Sequence, residues 1–449
     1  MLLLSFIYYT LVIMASTSNT SGPYGKTVVP AVPVPVKFHL KTGVNPGPFH
    51  VTFESPIQMI MPGIGTKYTV TGNPNPLYNG TFNSIFVSPT TITLEYDVVD
   101  PGTFGEGVTT ILVCPNPLSN VRLVAGRSNP ELAQLISTRL NIPLTKVKIT
   151  YFGNGEICVK FEENIRGRDI YIIQTGGGYE GRSINDHLIE TCAICDACTR
   201  SSVKSKNLVM PCYAYARADK KDKPRVSVMG SCVAGIYDHL GISRIISMDL
   251  HSGQIQGFFR NQPLDNIYCM KLHIDTLENV IFKGLTKEQI VQQFVLACPD
   301  MGAYSMIKDY AQRMKLGHCG MAKQRDYSQV SIVEKTILIG EPGIVQGKTV
   351  ILVDDIFDTC GTVESAAKEL KEHGAKDLII VGTHGVFSGP AFDRINSTQM
   401  LKQVFVSNSL PQTENLKKTS KLTIVDISNI MATTIRRLNT DESVSELFV

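Results

Sequence analysis

The groups best placed to do chemistry lie in one run, Thr349 to Thr362 (TVILVDDIFDTCGT). Its carboxylates are Asp354, Asp355 and Asp358, and hydroxyls stand at Thr359 and Thr362. The apolar stretch Val350 to Val353 reads as a buried strand ending in two adjacent acids. A helix is expected next, because Val363, Ala366, Ala367 and Leu370 recur at helical spacing, with Thr362 as N-cap and Gly374 as stop. A strand, an acidic tip and a loop opening onto a helix N-terminus make a seat for phosphate. Backbone N–H groups from 358 to 362 and the positive end of the helix dipole would face the anion. Acids beside such a seat suit sugar hydroxyls or magnesium, and open α/β sheets bind ligands at the carboxyl ends of their strands.

Other constellations are spread along the chain. No GxxxxGK[ST] sequence occurs, so a nucleotide must be held by other means. Arg217 to Arg225 (RADKKDKPR) follows the apolar approach PCYAYA, which places it at a sheet edge with cations in reach of a triphosphate. His251 lies in MDLHSGQIQGFF, just past a strand end and before a loop of small residues, and suits a ligand or metal as well as it suits core packing. Asp300 follows Pro299 in a turn opening a helix. Lys323-Gln324-Arg325 occupies a polar stretch with Gly317, Gly320 and Ser328 around it, expected as a mobile loop that closes two cations over a transferring phosphoryl group.

The elements that must carry these residues divide the 449-residue chain into two kinds of sequence. Residues 1–20 begin with fifteen apolar and uncharged positions, too few for a spanning helix and without a basic leader. They read as a weak signal or anchor, or, preferred, as sequence upstream of a start at Met14, so no stable membrane association is expected. Residues 21–117 hold no arginine and are rich in Pro, Gly, Thr and Asn. Short alternating runs such as Thr91 to Tyr96 predict a small all-β sandwich or barrel, an accessory module.

From about Leu118 the pattern becomes α/β. Ser128 or Asn129 caps a helix with Pro130 in its first turn and Leu132, Leu135, Ile136 and Leu140 on one side. Strands are expected at 147–152, 170–174, 207–210, 244–248, 349–353, 378–382, 404–406 and 422–425. Alternation with helices predicts parallel sheets in two doubly wound domains, 118–267 and 268–449. A net charge of +3 gives no basic field for nucleic acid. The eleven cysteines are odd in number and scattered, as in a reduced cytoplasmic protein. Cys192, Cys195 and Cys198 share a helix face, read as packing rather than a metal site.

The 349–362 run resembles the phosphoribosyl-diphosphate loop of type I phosphoribosyltransferase folds. From Val121 to Phe448 the chain resembles the ribose-phosphate diphosphokinases. The likeness rests on FGNGEICV, NIRGRDIYIIQTG, RADKKDKPR, MDLHSGQIQGFF, the Lys-x-Arg stretch, VDDIFDTCGT, THGVFSGPA and IRRLNTDESVSELF, in that order. It implies two tandem phosphoribosyltransferase-like domains and synthesis of 5-phosphoribosyl 1-diphosphate from ATP and ribose 5-phosphate, with AMP released. It further implies that Phe152, Asn154, Glu156, Arg217, Asp219 and His251 bind ATP, the first three from a neighbouring subunit. Asp354, Asp355, Asp358, Thr359, Cys360, Gly361 and Thr362 would bind ribose 5-phosphate. His251 and Asp300 would place Mg2+, and Lys323, Arg325 and His251 would act in catalysis. A homo-oligomer of dimers assembling to a hexamer is implied. The alternative is a non-catalytic regulatory relative that assembles with active subunits. Departures from the pattern are Ala218 where the family has Gln, the turn after Asp300, and a longer loop at 175–184.

Overall fold

The structure is a computed structural model describing residues 118–326 and 333–448, preceded by the segments 9–12, 33–41, 49–54, 67–71, 80–87, 91–96 and 110–113. The rest of 1–117, which includes most of the 1–20 segment and Met14, lies outside the described residues, as do 327–332 and the side chains of 323–335. The chain divides into two units, Met1–Ser119 and Asn120–Val449.

In the first unit the described segments are strands β1 (Tyr9–Val12), β2 (Pro33–Lys41), β3 (Phe49–Glu54), β4 (Lys67–Thr71), β5 (Gly80–Val87), β6 (Thr91–Tyr96) and β7 (Thr110–Val113). They pair antiparallel in the order β1-β2-β3-β6-β5-β4-β7. The alternating run at 91–96 is β6, as its period of two predicts.

The second unit opens with β8 (Val121–Ala125) and α1 (Pro130–Leu140). Asn129 caps this helix, its side chain accepting from Leu132 N, and Pro130 takes the first position, where a missing N–H costs nothing. Leu132 and Ile136 are buried, but Leu135 points outward, so the apolar stripe is narrower than its spacing predicts. Next come β9 (Val147–Tyr151) and β10 (Ile157–Phe161), β11 (Asp169–Ile173), α2 (Ile184–Arg200), β12 (Ser205–Val209), α3 (Met229–His239), β13 (Arg244–Met248) and β14 (Leu264–Ile267). Strands β14-β13-β12-β11-β8 form one parallel sheet. The expected sheet strand at 147–152 is instead half of an antiparallel hairpin with β10. The sequence between them, FGNGE, turns tightly, with Gly155 at φ +89. Cys195 and Cys198 lie fully buried in the core between α2 and the sheet, and burial pushes the Cys198 thiol up to about 12.

The second half comprises α4 (Met270–Val280), α5 (Lys287–Gln293), β15 (Phe294–Cys298), α6 (Tyr304–Met314), β16 (His318–Asp326), β17 (Val333–Ile339), β18 (Thr349–Phe357), α7 (Gly361–Glu372), β19 (Asp377–Gly385), α8 (Ala391–Ser397), β20 (Leu401–Ser407), α9 (Thr413–Leu416), β21 (Leu422–Val425) and α10 (Ser428–Asn439). The sheet order is β17-β16-β15-β18-β19-β20-β21, parallel except for β17. After β15 the chain winds outward to β16, and from β18 it winds the other way, so the order reverses between β15 and β18. Successive β18 residues feed opposite cores. Val350 and Leu352 join Val363, Ala366 and Leu370 of α7, while Ile351 and Val353 join Ile307 and Tyr310 of α6. Each such buried aliphatic side chain contributes about 1.5–3 kcal/mol. The halves are tied together where α10 reaches back, Asn439 Nδ2 donating to Tyr171 Oη at 2.6 Å. Among the described residues no helix is long and apolar enough to cross a membrane.

Candidate active site

The reversal between β15 and β18 opens a crevice at the carboxyl ends of these strands, the usual place for a ligand in such a sheet. Asp300 follows β15, while Asp354 and Asp355 stand on β18. The strand runs to Phe357, four residues beyond the apolar stretch, so the acids are held in the ladder rather than on a free tip. Asp354 pairs with Gly382 and Ile356 with His384 of β19. Rigid strand backbone therefore fixes both carboxylates.

Their environments separate the two acids. Burial, with the charge of Asp355 beside it, pushes Asp354 well above the usual carboxylate range. Burial would raise Asp355 too, but its hydrogen bond and charge pairing with His251 outweigh this and hold it low. His251 Nδ1 lies 2.7 Å from Asp355 Oδ2, and this contact raises the imidazole, with buried Asp219 adding to the shift. Asp300 spends one oxygen on its own turn, Oδ1 accepting from Gly302 N at 2.8 Å and Ala303 N at 3.2 Å. Its charge still bears on Asp354.

The phosphate-seat geometry differs from expectation at one point. α7 begins at Gly361, and its cap is Cys360 in the left-handed region at φ +57, not Thr362. No side chain caps the helix, so the first-turn N–H groups are not claimed by one. Gly374, at φ +78 just past His373, ends it as predicted. Two residues outside the run brace the loop. Arg394 donates from Nη1 to Thr359 O at 2.8 Å and pairs with Glu364 at 3.2 Å, and Ser388 Oγ donates to Asp358. Burial would raise Asp358, but Ser388 and Arg217 hold it below the usual carboxylate range.

Arg217 reaches this loop from the other half, Nη1 standing 2.5 Å from Asp358 Oδ2. Its stretch follows β12, an interior strand, so it lies at the carboxyl end of the sheet rather than at a lateral edge. Two cross-half pairs, His251–Asp355 and Arg217–Asp358, thus gather segments more than a hundred residues apart into one site. The remaining expected residues are elsewhere. Phe152, 57% exposed, sits with Asn154 and Glu156 on the β9–β10 turn, where Phe152 N donates to Glu156 O at 2.9 Å and Glu156 N to Asn154 Oδ1 at 3.2 Å. Lys323 and Arg325 fall within strand β16, paired with Thr336 and Glu334 of β17, not in a loop. Their side chains lie outside the described residues.

A family profile for the N-terminal domain of ribose phosphate pyrophosphokinase matches residues 121–241, and one for a phosphoribosyl synthetase-associated domain matches 321–449. Ribose-phosphate pyrophosphokinase 2 of Schizosaccharomyces pombe is 38% identical over 330 residues, 74% of this chain and 98% of that protein. The crystal structure of phosphoribosylpyrophosphate synthetase from Mycobacterium smegmatis matches with a TM-score of 0.64 and 34% identity, covering 72% of this chain and 100% of that one.

Proposed function

The chain belongs to the ribose-phosphate pyrophosphokinase family, and we propose that it does this chemistry in the site between its two α/β halves. The reaction joins O1 of ribose 5-phosphate to the β-phosphorus of ATP, breaks the bond from that phosphorus to the α,β-bridging oxygen, and releases AMP and the hydroxyl proton. The observation that carries the site assignment is the pair of cross-half contacts, because a transfer between two substrates needs both halves in register.

In this reading the 5-phosphate sits on the 358–362 loop at the α7 N-terminus, and Asp354 and Asp355 meet the sugar hydroxyls. Arg217 and His251 take the triphosphate, Asp219 lies on the ATP side beside them, and Lys323 and Arg325 stand over the transferring group. Because Arg217 and Asp358 pair directly, an incoming triphosphate competes with Asp358 for the guanidinium. Arg217→Ala is therefore expected to raise the KM for ATP about tenfold or more, with the KM for ribose 5-phosphate changed far less. Equal shifts in both would remove Arg217 from the nucleotide side.

Magnesium fits the donors present. Among the described residues no three His, Cys, Asp or Glu groups converge into a ready-made cage. This cation, however, is commonly held by one or two carboxylates together with substrate phosphates. Asp354, whose ionised form is disfavoured by burial, and His251 and Asp300 supply hard or nitrogen donors for it, and it would neutralise phosphate charge.

The exposed Phe152 turn suits stacking on the adenine of ATP bound in a neighbouring copy's site, within an assembly of dimers up to a hexamer. Ten described cysteines, all unpaired, suit a reducing cytoplasm. The test is AMP formation from ATP and ribose 5-phosphate by the purified chain. Dependence on both substrates and on magnesium is expected, and no AMP above background would assign the chain instead to a regulatory role.

A further inference from the structure

We propose that His384 is a positioning residue for diphosphoryl transfer, setting the His251–Asp355 pair by fixing the end of β13 to the second half. The inference rests on the role given to His251 above. His384 is 2% exposed near the end of β19 and pairs in register with Ile356, next to Asp355. Its Nε2 lies 3.0 Å from the Met248 carbonyl, at the last residue of β13. A carbonyl only accepts, so Nε2 carries the proton, and Nδ1 then accepts from Ser409 Oγ at 2.8 Å. Burial lowers the pKa of the ring, which favours this neutral form.

A second tie falls one residue further on. Thr383 Oγ1 donates to Asp249 Oδ2 at 2.5 Å, and Cys269 N donates to the same oxygen at 3.1 Å. Asp249 itself has φ +36, a backbone that an ordinary residue holds only when its surroundings impose it. Adjacent residues 383 and 384 thus grip adjacent residues 248 and 249, two positions before His251. The grip and the His251–Asp355 contact span the same two halves, so loosening one moves the other. Misplacement by about 1 Å costs about a hundredfold in rate.

The test measures AMP formation by full-length variants. His384→Asn retains a group towards Ser409 but falls short of Met248, and is expected to lower kcat by about ten- to a hundredfold, with the KM for ribose 5-phosphate within about twofold. His384→Gln, whose amide reaches the Met248 carbonyl, is expected to recover most of that loss. Combined with His251→Ala, His384→Asn should lower the residual rate by less than about threefold, because both act through one group. A folded His384→Asn enzyme with wild-type kcat overturns the proposal, and so does a loss that multiplies in full on His251→Ala. Should His384→Asn fail to fold, Ser409→Ala reads the same chain of bonds. A several-fold fall in kcat that vanishes on His251→Ala is expected there, and unchanged kcat overturns the role. If the wild-type chain itself forms no AMP, the functional reading fails first, and this role with it.

Discussion

Lys323→Ala and Arg325→Ala are each expected to lower kcat for AMP formation by roughly three orders of magnitude, while the KM for ribose 5-phosphate stays close to that of the wild type. In a transfer of this kind little covalent work falls to the protein, and charge spreading over the phosphoryl oxygens must be met by cations. Positions 323 and 325 both lie within β16. β16 lies beside β15, which lies beside β18, and this ordering places the pair on the sheet that bears Asp354 and Asp355. Near-normal turnover in both variants would take the pair out of the reaction, and a loss confined to KM would make them binding groups.

How far the residues disclose this architecture depends on how local the signal is. The β18–α7 run was legible because everything it needs is contiguous: an apolar strand, small residues at helical spacing, and Gly374 to stop the helix. Its helix start was misjudged because Cys360 adopts a left-handed turn, which side-chain type does not announce, and Arg394 stabilises that turn from a helix thirty residues away. β15, the strand beside the reversal, gave no signal at all. It follows α5 without a Gly, Pro or Asn between them, Phe294 serving as both helix cap and first strand residue, so no breaker marks where its five apolar residues begin.

The cross-half contacts were equally silent. Nothing in the spacing of Arg217 and Asp358, or of His251 and Asp355, says that they meet; parallel sheets with long crossovers bring them together. Thr383 and His384 belong to a motif visible in the sequence. Their partners at Met248 and Asp249 became apparent only when the two sheets faced each other.

That same seam sets an acid limit on stability. His273, 1% exposed on α4, places Nδ1 2.7 Å from Tyr310 Oη and stacks on that ring, with centroids 6.4 Å apart. Burial, with the His384 ring of β19 nearby, lowers its pKa to about 3. The folded protein therefore holds this ring neutral, whereas the unfolded chain protonates it near 6.5. A histidine depressed in the fold stabilises fully above pH 6.5, and the contribution is lost as pH falls from there towards 3. At pH 5 the loss is about 1.5 units at about 1.4 kcal/mol each, or about 2 kcal/mol. His273→Gln does not titrate, so its stability should fall about 2 kcal/mol less than the wild type between pH 7 and pH 5. At pH 7 the variant is expected to be the less stable of the two, because the stacked ring is gone. Denaturant unfolding at the two pH values measures both differences, and parallel pH dependence in the two proteins would show that His273 already takes up a proton in the fold.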